Sequence, residues 1–150
     1  MRPWGTISGR VISASLFVVL CSSASYGQSV AGGSARLALK GYDPVAYFTE
    51  SKPVKGAPEL THDWDGARYQ FSSAKHRETF VANPDRYAPQ YGGFCAGGMS
   101  LAKKTEADPE LWKIVDGKLY VFASARAKER LEKDPPGTIE RGGKHWKRLK

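Results

Sequence analysis

Leu60-Thr61-His62-Asp63-Trp64-Asp65-Gly66-Ala67-Arg68-Tyr69-Gln70-Phe71 is the stretch that decides the fold. Asp-Gly is a dipeptide that two-residue hairpin turns favour, because both central residues take a positive φ. Folding about Asp65-Gly66 predicts pairs between Trp64 and Ala67, Asp63 and Arg68, His62 and Tyr69, and Leu60 and Phe71. The apolar set then falls on one face, and Asp63 opposes Arg68 on the other. Asp116-Gly117 predicts a second hairpin, with Trp112 opposite Val121 and Ile114 opposite Leu119, while Lys113 and Lys118 fall on the other face. Four strands result, all antiparallel.

Working outward, Arg36–Lys40 alternates Leu37 and Leu39 with other residues and predicts a short strand. Asp43-Pro44 suits a helix start, with Asp43 as N-cap and Pro44 at the first helical position. Residues 51–59, with two prolines and a glycine, read as a loop. Ser72 or Ser73 caps a helix to about Ala82, stopped by Asn83-Pro84, with Phe80 and Val81 as core contacts. Ser124 caps a last charged helix through Lys133, stopped by Asp134-Pro135-Pro136-Gly137. No internal repeat beyond the two hairpins is read, and no low-complexity run. The fold class is α+β, a small single domain with two antiparallel β-hairpins packed against short helices.

The 150 residues are 41% hydrophobic and 25% charged, which excludes a disordered chain and a polytopic membrane bundle. The formal charge of +8 is uneven. Residues 1–27 carry +2, residues 28–124 carry +1 and residues 125–150 carry +5, so the basicity resides at the C-terminal end. Arg2 and Arg10 precede the apolar run Val11–Leu20, and Ser25-Tyr26-Gly27 closes the segment. That pattern reads as a signal peptide over residues 1–27, cleaved near Gly27. It implies a periplasmic or secreted protein, with residues 28–35 as a flexible lead-in. A lipoprotein alternative at Cys21 is disfavoured by the leucine before it. Export makes nucleic acid an unsuitable partner despite the charge.

Removal of residues 1–27 would leave Cys95 as the sole cysteine and Met99 as the sole methionine. Set four residues apart, the two sulfurs would share one helix face. Soft thiolate and thioether donors suit monovalent copper, and His62 or His76 could complete the set. The alternative is that Cys95 and Met99 are ordinary core residues and His62 a core histidine. His145 is read as solvated. No nucleophile–base–acid arrangement, H-E-x-x-H or phosphate-binding glycine loop is present, so nothing in the sequence supports an enzyme. Residues 125–150 form a basic helical extension with Trp146 among lysines. This extension either touches anionic lipid peripherally or docks Leu131, Ile139, Trp146 and Leu149 on the core.

Lys40-Gly41-Tyr42-Asp43-Pro44-Val45-Ala46-Tyr47-Phe48, Tyr69-Gln70-Phe71-Ser72-Ser73, Asn83-Pro84 through Cys95-Ala96, and Asp108-Pro109 through Tyr120 recur in an order that resembles exported YHS-domain proteins. The resemblance implies a YHS-like domain over residues 36–124, related to small metal-binding modules, with Cys95 as the position that carries the metal-binding role over. Serines stand at Ser72-Ser73 where some relatives have cysteine. Taken with the soft donors at Cys95 and Met99, the expected function is binding of a soft metal ion, copper first, for sequestration or delivery, with a metal ion or an exported metal-handling protein as partner. Two alternatives stand beside it. One is a non-metal ligand- or protein-binding module with an aromatic groove near Tyr42, Tyr47, Tyr87 and Tyr91. The other is a thiol redox enzyme using Cys95.

Overall fold

The structure, a computed structural model, describes residues 35–150. The signal segment, Cys21 and most of the lead-in lie outside the described residues. The elements are β1 (Arg36–Leu37), α1 (Ala46–Thr49), β2 (Ala57–Trp64), β3 (Ala67–Phe71), α2 (Ala74–Ala82), α3 (Pro84–Tyr87), α4 (Ala96–Met99), β4 (Asp108–Val115), β5 (Lys118–Phe122), α5 (Ala125–Lys133) and α6 (Pro135–Leu149). Short 3₁₀ turns span Ala38–Gly41 and Gln90–Gly93. The class is α+β, with both hairpins present.

Both Asp-Gly turns form with the left-handed backbone they need: φ is 49° and 76° at Asp65 and Gly66, and 50° and 71° at Asp116 and Gly117. The expected pairs Trp64↔Ala67, Asp63↔Arg68, His62↔Tyr69, Trp112↔Val121 and Ile114↔Leu119 are all found. Leu60 does not pair with Phe71; Ala57 does, because a bulge intervenes between Ala57 and Thr61. Pro58 lies within that irregularity, where a residue without an N–H is tolerated. The strand therefore runs back into the stretch read as a loop. The four hairpin strands pair antiparallel as expected, and a fifth, shorter strand joins the first sheet. β1 keeps only two of its expected five residues and pairs parallel to β3, giving the order β1-β3-β2. Helix α1 begins at Ala46 rather than Pro44, though Asp43 Oδ1 still accepts the Val45 N–H at 2.9 Å.

Helix α2 is capped by Ser73, whose hydroxyl accepts the His76 N–H. Phe80 is buried as expected, whereas Val81 is 49% exposed. Asn83 and Asp134 do more than stop helices: each caps the next one, α3 and α6, with proline in the first turn. A further helix thus lies beyond the one read as last. Leu131 is fully buried, and Ile139 and Trp146 pack against the same cluster; Leu149 stays 38% exposed.

The order of elements repeats. A 3₁₀ turn, a short helix, an eight-residue strand with a bulge, an Asp-Gly turn, a five-residue strand, a Ser-capped nine-residue helix and a proline-started helix occur twice. Pro58-Glu59-Leu60, Asp65-Gly66, Tyr69, Phe71, Ser73-Ala74, Glu78 and Pro84 recur 51 positions on as Pro109-Glu110-Leu111, Asp116-Gly117, Tyr120, Phe122, Ser124-Ala125, Glu129 and Pro135. The molecule is an internal duplication, contrary to the sequence reading. Each half has its own cluster, one around Tyr69, Phe71 and Phe80, the other around Tyr120, Phe122 and Leu131. A third cluster joins them, with Leu39 and Tyr47 from the first half against Leu119 and Val121 from the second.

Candidate functional site

Cys95 follows the left-handed run Tyr91, Gly92 and Gly93 (φ 56°, 61° and 81°). Its N–H donates to the Thr105 carbonyl at 2.9 Å, which fixes the backbone, and its Sγ accepts the Gly98 N–H at 3.3 Å across the first turn of α4. The residue is 1% exposed. Above it lies a depression of about 200 Å³ bordered by Cys95, Gly97, Gly98, Ala123, Arg126 and Arg130, among others. The small residues let α4 approach α5 closely: a Cβ on Gly97 would stand 2.5 Å from the Ala127 carbonyl oxygen. The Arg130 guanidinium donates to the Gly97 carbonyl at 3.2 Å and holds the mouth in place.

The first half shows what the same place looks like when filled. Asp43 occupies the position of Cys95: its N–H donates to the Val54 carbonyl as that of Cys95 does to Thr105, and it follows the matching left-handed run Leu39, Lys40 and Gly41. The Asp43 carboxylate is fully buried and accepts four hydrogen bonds. Val45 N–H reaches Oδ1 at 2.9 Å; Ser72 N–H at 2.8 Å, Ser72 hydroxyl at 2.6 Å and His76 Nδ1 at 2.6 Å reach Oδ2. The counterparts of Ser72 and His76 in the second half are Ala123 and Ala127, and both alanines border the depression. Both side chains that hydrogen-bond the Asp43 carboxylate are therefore absent at the second position. The depression over Cys95 lies where the Ser72 and His76 side chains have no counterpart.

Of the four residues read as candidate ligands, the structure brings Cys95 and Met99 into one apolar cluster and leaves both histidines elsewhere. Met99 closes the four-residue helix that Cys95 caps, so the shared turn is as expected, but Met99 is fully buried and does not border the depression. His76 is engaged by Asp43, with its Nε2 3.4 Å from Thr49 Oγ1. His62 lies edge-on to Phe80 at 6.1 Å between ring centroids. Among the described residues no three His, Cys, Asp or Glu side chains gather as a metal group. The histidine that does reach this turn is His145, read from sequence as solvated. Its Nδ1 stands 2.9 Å from the Met99 carbonyl oxygen and 3.1 Å from Ala102 N. No local pattern signals that contact, since it depends on how α6 packs.

Of the four tyrosines named for the alternative aromatic groove, two are buried and hydrogen-bonded within the fold. Tyr47 donates its hydroxyl to the Pro109 carbonyl and Tyr91 to the Ile139 carbonyl, both at 2.9 Å and both from buried positions. Burial pushes the hydroxyls of Tyr47 and Tyr91 well above their ordinary range, and Tyr69 up to about 12. No helix of the described residues is long and apolar enough to cross a membrane. Comparison with known proteins adds no relative: no family model matches the chain, and no curated protein or solved structure does either.

Proposed function

We propose that the chain is an exported, YHS-like module that takes up a soft monovalent cation, copper(I) first, on the Cys95 thiolate. The Met99 thioether on the same turn is the second donor and no histidine takes part. One observation carries this reading. The second half keeps the backbone of the first and replaces Asp43, Ser72 and His76 with Cys95, Ala123 and Ala127, so that a buried polar knot becomes a buried sulfur bordering a depression. The Gly98 N–H on the sulfur supports it too, because hydrogen bonds to ligating atoms hold and tune them. With two soft donors and no carboxylate, the site suits a soft cation better than a hard one. The role is sequestration or delivery, with an exported metal-handling protein as the exchange partner.

Titration with copper(I) against a competing chelator tests this. Cys95→Ser is expected to abolish uptake and Met99→Leu to weaken it by about tenfold or more. His62→Ala and His76→Ala should leave it unchanged. Undiminished uptake by Cys95→Ser overturns the reading. Arg126 and Arg130 at the mouth favour a second reading, a thiol that reacts with small anionic partners. Faster alkylation of Cys95 by iodoacetate than by neutral iodoacetamide, lost on Arg126→Gln, would select it.

A further inference from the structure

Away from Cys95, Phe94 and Trp146 form a V with ring centroids 6.1 Å apart and planes at 48°. They wall a cleft of about 410 Å³ whose lining also includes Gly66, Ala67, Gly92 and Lys104. That volume falls within the range of small-molecule sites. Gly92, with φ of 61°, keeps the backbone close to the indole: a Cβ on it would stand 3.2 Å from the Trp146 ring. Three cations reach the cleft, and two are already matched. Lys150 pairs with Asp65 at 2.6 Å, and Arg36 lies 4.1 Å over the Phe94 ring while reaching both Glu106 oxygens at 3.3 Å and the Gly92 carbonyl. Lys104 is different. Its ammonium sits 4.9 Å from the Phe94 centroid and 5.4 Å from that of Trp146 and donates to the Leu149 carbonyl at 3.1 Å. It has no carboxylate partner among the described residues.

An ammonium fixed over two ring faces, with one N–H used, has two N–H donors left for a ligand. We propose that this cleft binds a small monoanionic carboxylate carried on a flat apolar body, an arene carboxylate in chemical class. The two rings supply the apolar walls, and the small residues Gly66, Ala67 and Gly92 leave room for a flat group to approach the backbone. The single unmatched charge selects a monoanion, whereas a dianionic phosphate would leave charge uncompensated on weak apolar walls. Cys95 does not line the cleft, so this inference and the metal reading fail separately.

The test is a titration of the ¹⁵N-labelled chain with benzoate, benzamide and inorganic phosphate, followed at the Trp146 indole N–H and the Gly92 and Phe94 amides. Benzoate is expected to shift these signals. Benzamide, which lacks the charge, and phosphate, which lacks the ring, should bind about tenfold more weakly or worse, the worth of one charge-assisted hydrogen bond. Lys104→Gln should weaken benzoate by a similar factor, with an unchanged circular dichroism spectrum, and Lys104→Arg should retain it. The proposal is overturned if benzoate at millimolar concentration moves none of the three signals. Benzamide matching benzoate, phosphate outbinding it, or an indifferent Lys104→Gln would overturn it equally.

Discussion

Asp43 ties three segments to one carboxylate: the start of α1 through Val45, the end of β3 through Ser72, and α2 through His76. A buried carboxylate with four donors is stabilising only while every donor is present, and removing it leaves those donors without their partner in a largely buried region. Asp43→Ala is therefore expected to destabilise the protein by about 3 kcal/mol or more, read from the urea midpoint. Asp63→Ala is the control. Asp63 also pairs well, with Arg68 at 2.7 Å, and that partner holds its carboxyl below the usual range. Because the pair is exposed and screened by water, its loss should barely move the midpoint. A result in which the two variants behave alike would mean that the Asp43 network is not what holds the first half together.

At the scale of the element, the hairpins were readable because a two-residue Asp-Gly turn sets the register of both strands at once, and eight cross-strand residue pairs follow from two dipeptides. The caps Ser73 and Ser124 were readable for a similar reason, since capping is local. What alternation could not reveal is that Leu119, Tyr120, Val121 and Phe122 are all buried, because β5 is covered on both faces once α5, α4 and the first half pack around it. The Cys95–Met99 turn was legible from spacing alone. The depression above it was not, as it is formed by contact between α4 and α5, more than twenty residues apart along the chain. Gly97 measures that contact. Gly97→Ala would push its Cβ into the Ala127 backbone and should cost about 1–3 kcal/mol, with a change in the rate at which Cys95 is alkylated. A neutral effect on both would show that α4 has room to retreat.

For the molecule as a whole, the buried tyrosines set its tolerance of alkali. Tyr47, Tyr69, Tyr91 and Tyr120 all have hydroxyls raised chiefly by burial. A folded pKa above the unfolded one means that the native state holds its proton where the unfolded chain has lost it. Stability from this source is intact below about pH 10 and falls above it, by about 1.4 kcal/mol per pH unit for each such tyrosine. Urea unfolding across pH 8 to 12 should show a plateau followed by a steep decline, and a flat profile would contradict the burial of these rings. The two halves also have a consequence for how the chain reaches this state. Two hairpins with the same turn, the same bulge and the same Tyr-x-Phe strand end are decoys for each other's docking surface, so a chain that starts folding at both can pair a helix with the wrong sheet. The residues that break the resemblance, Asp43 against Cys95 and His76 against Ala127, then act as an address label: only the correct half offers a carboxylate to the imidazole.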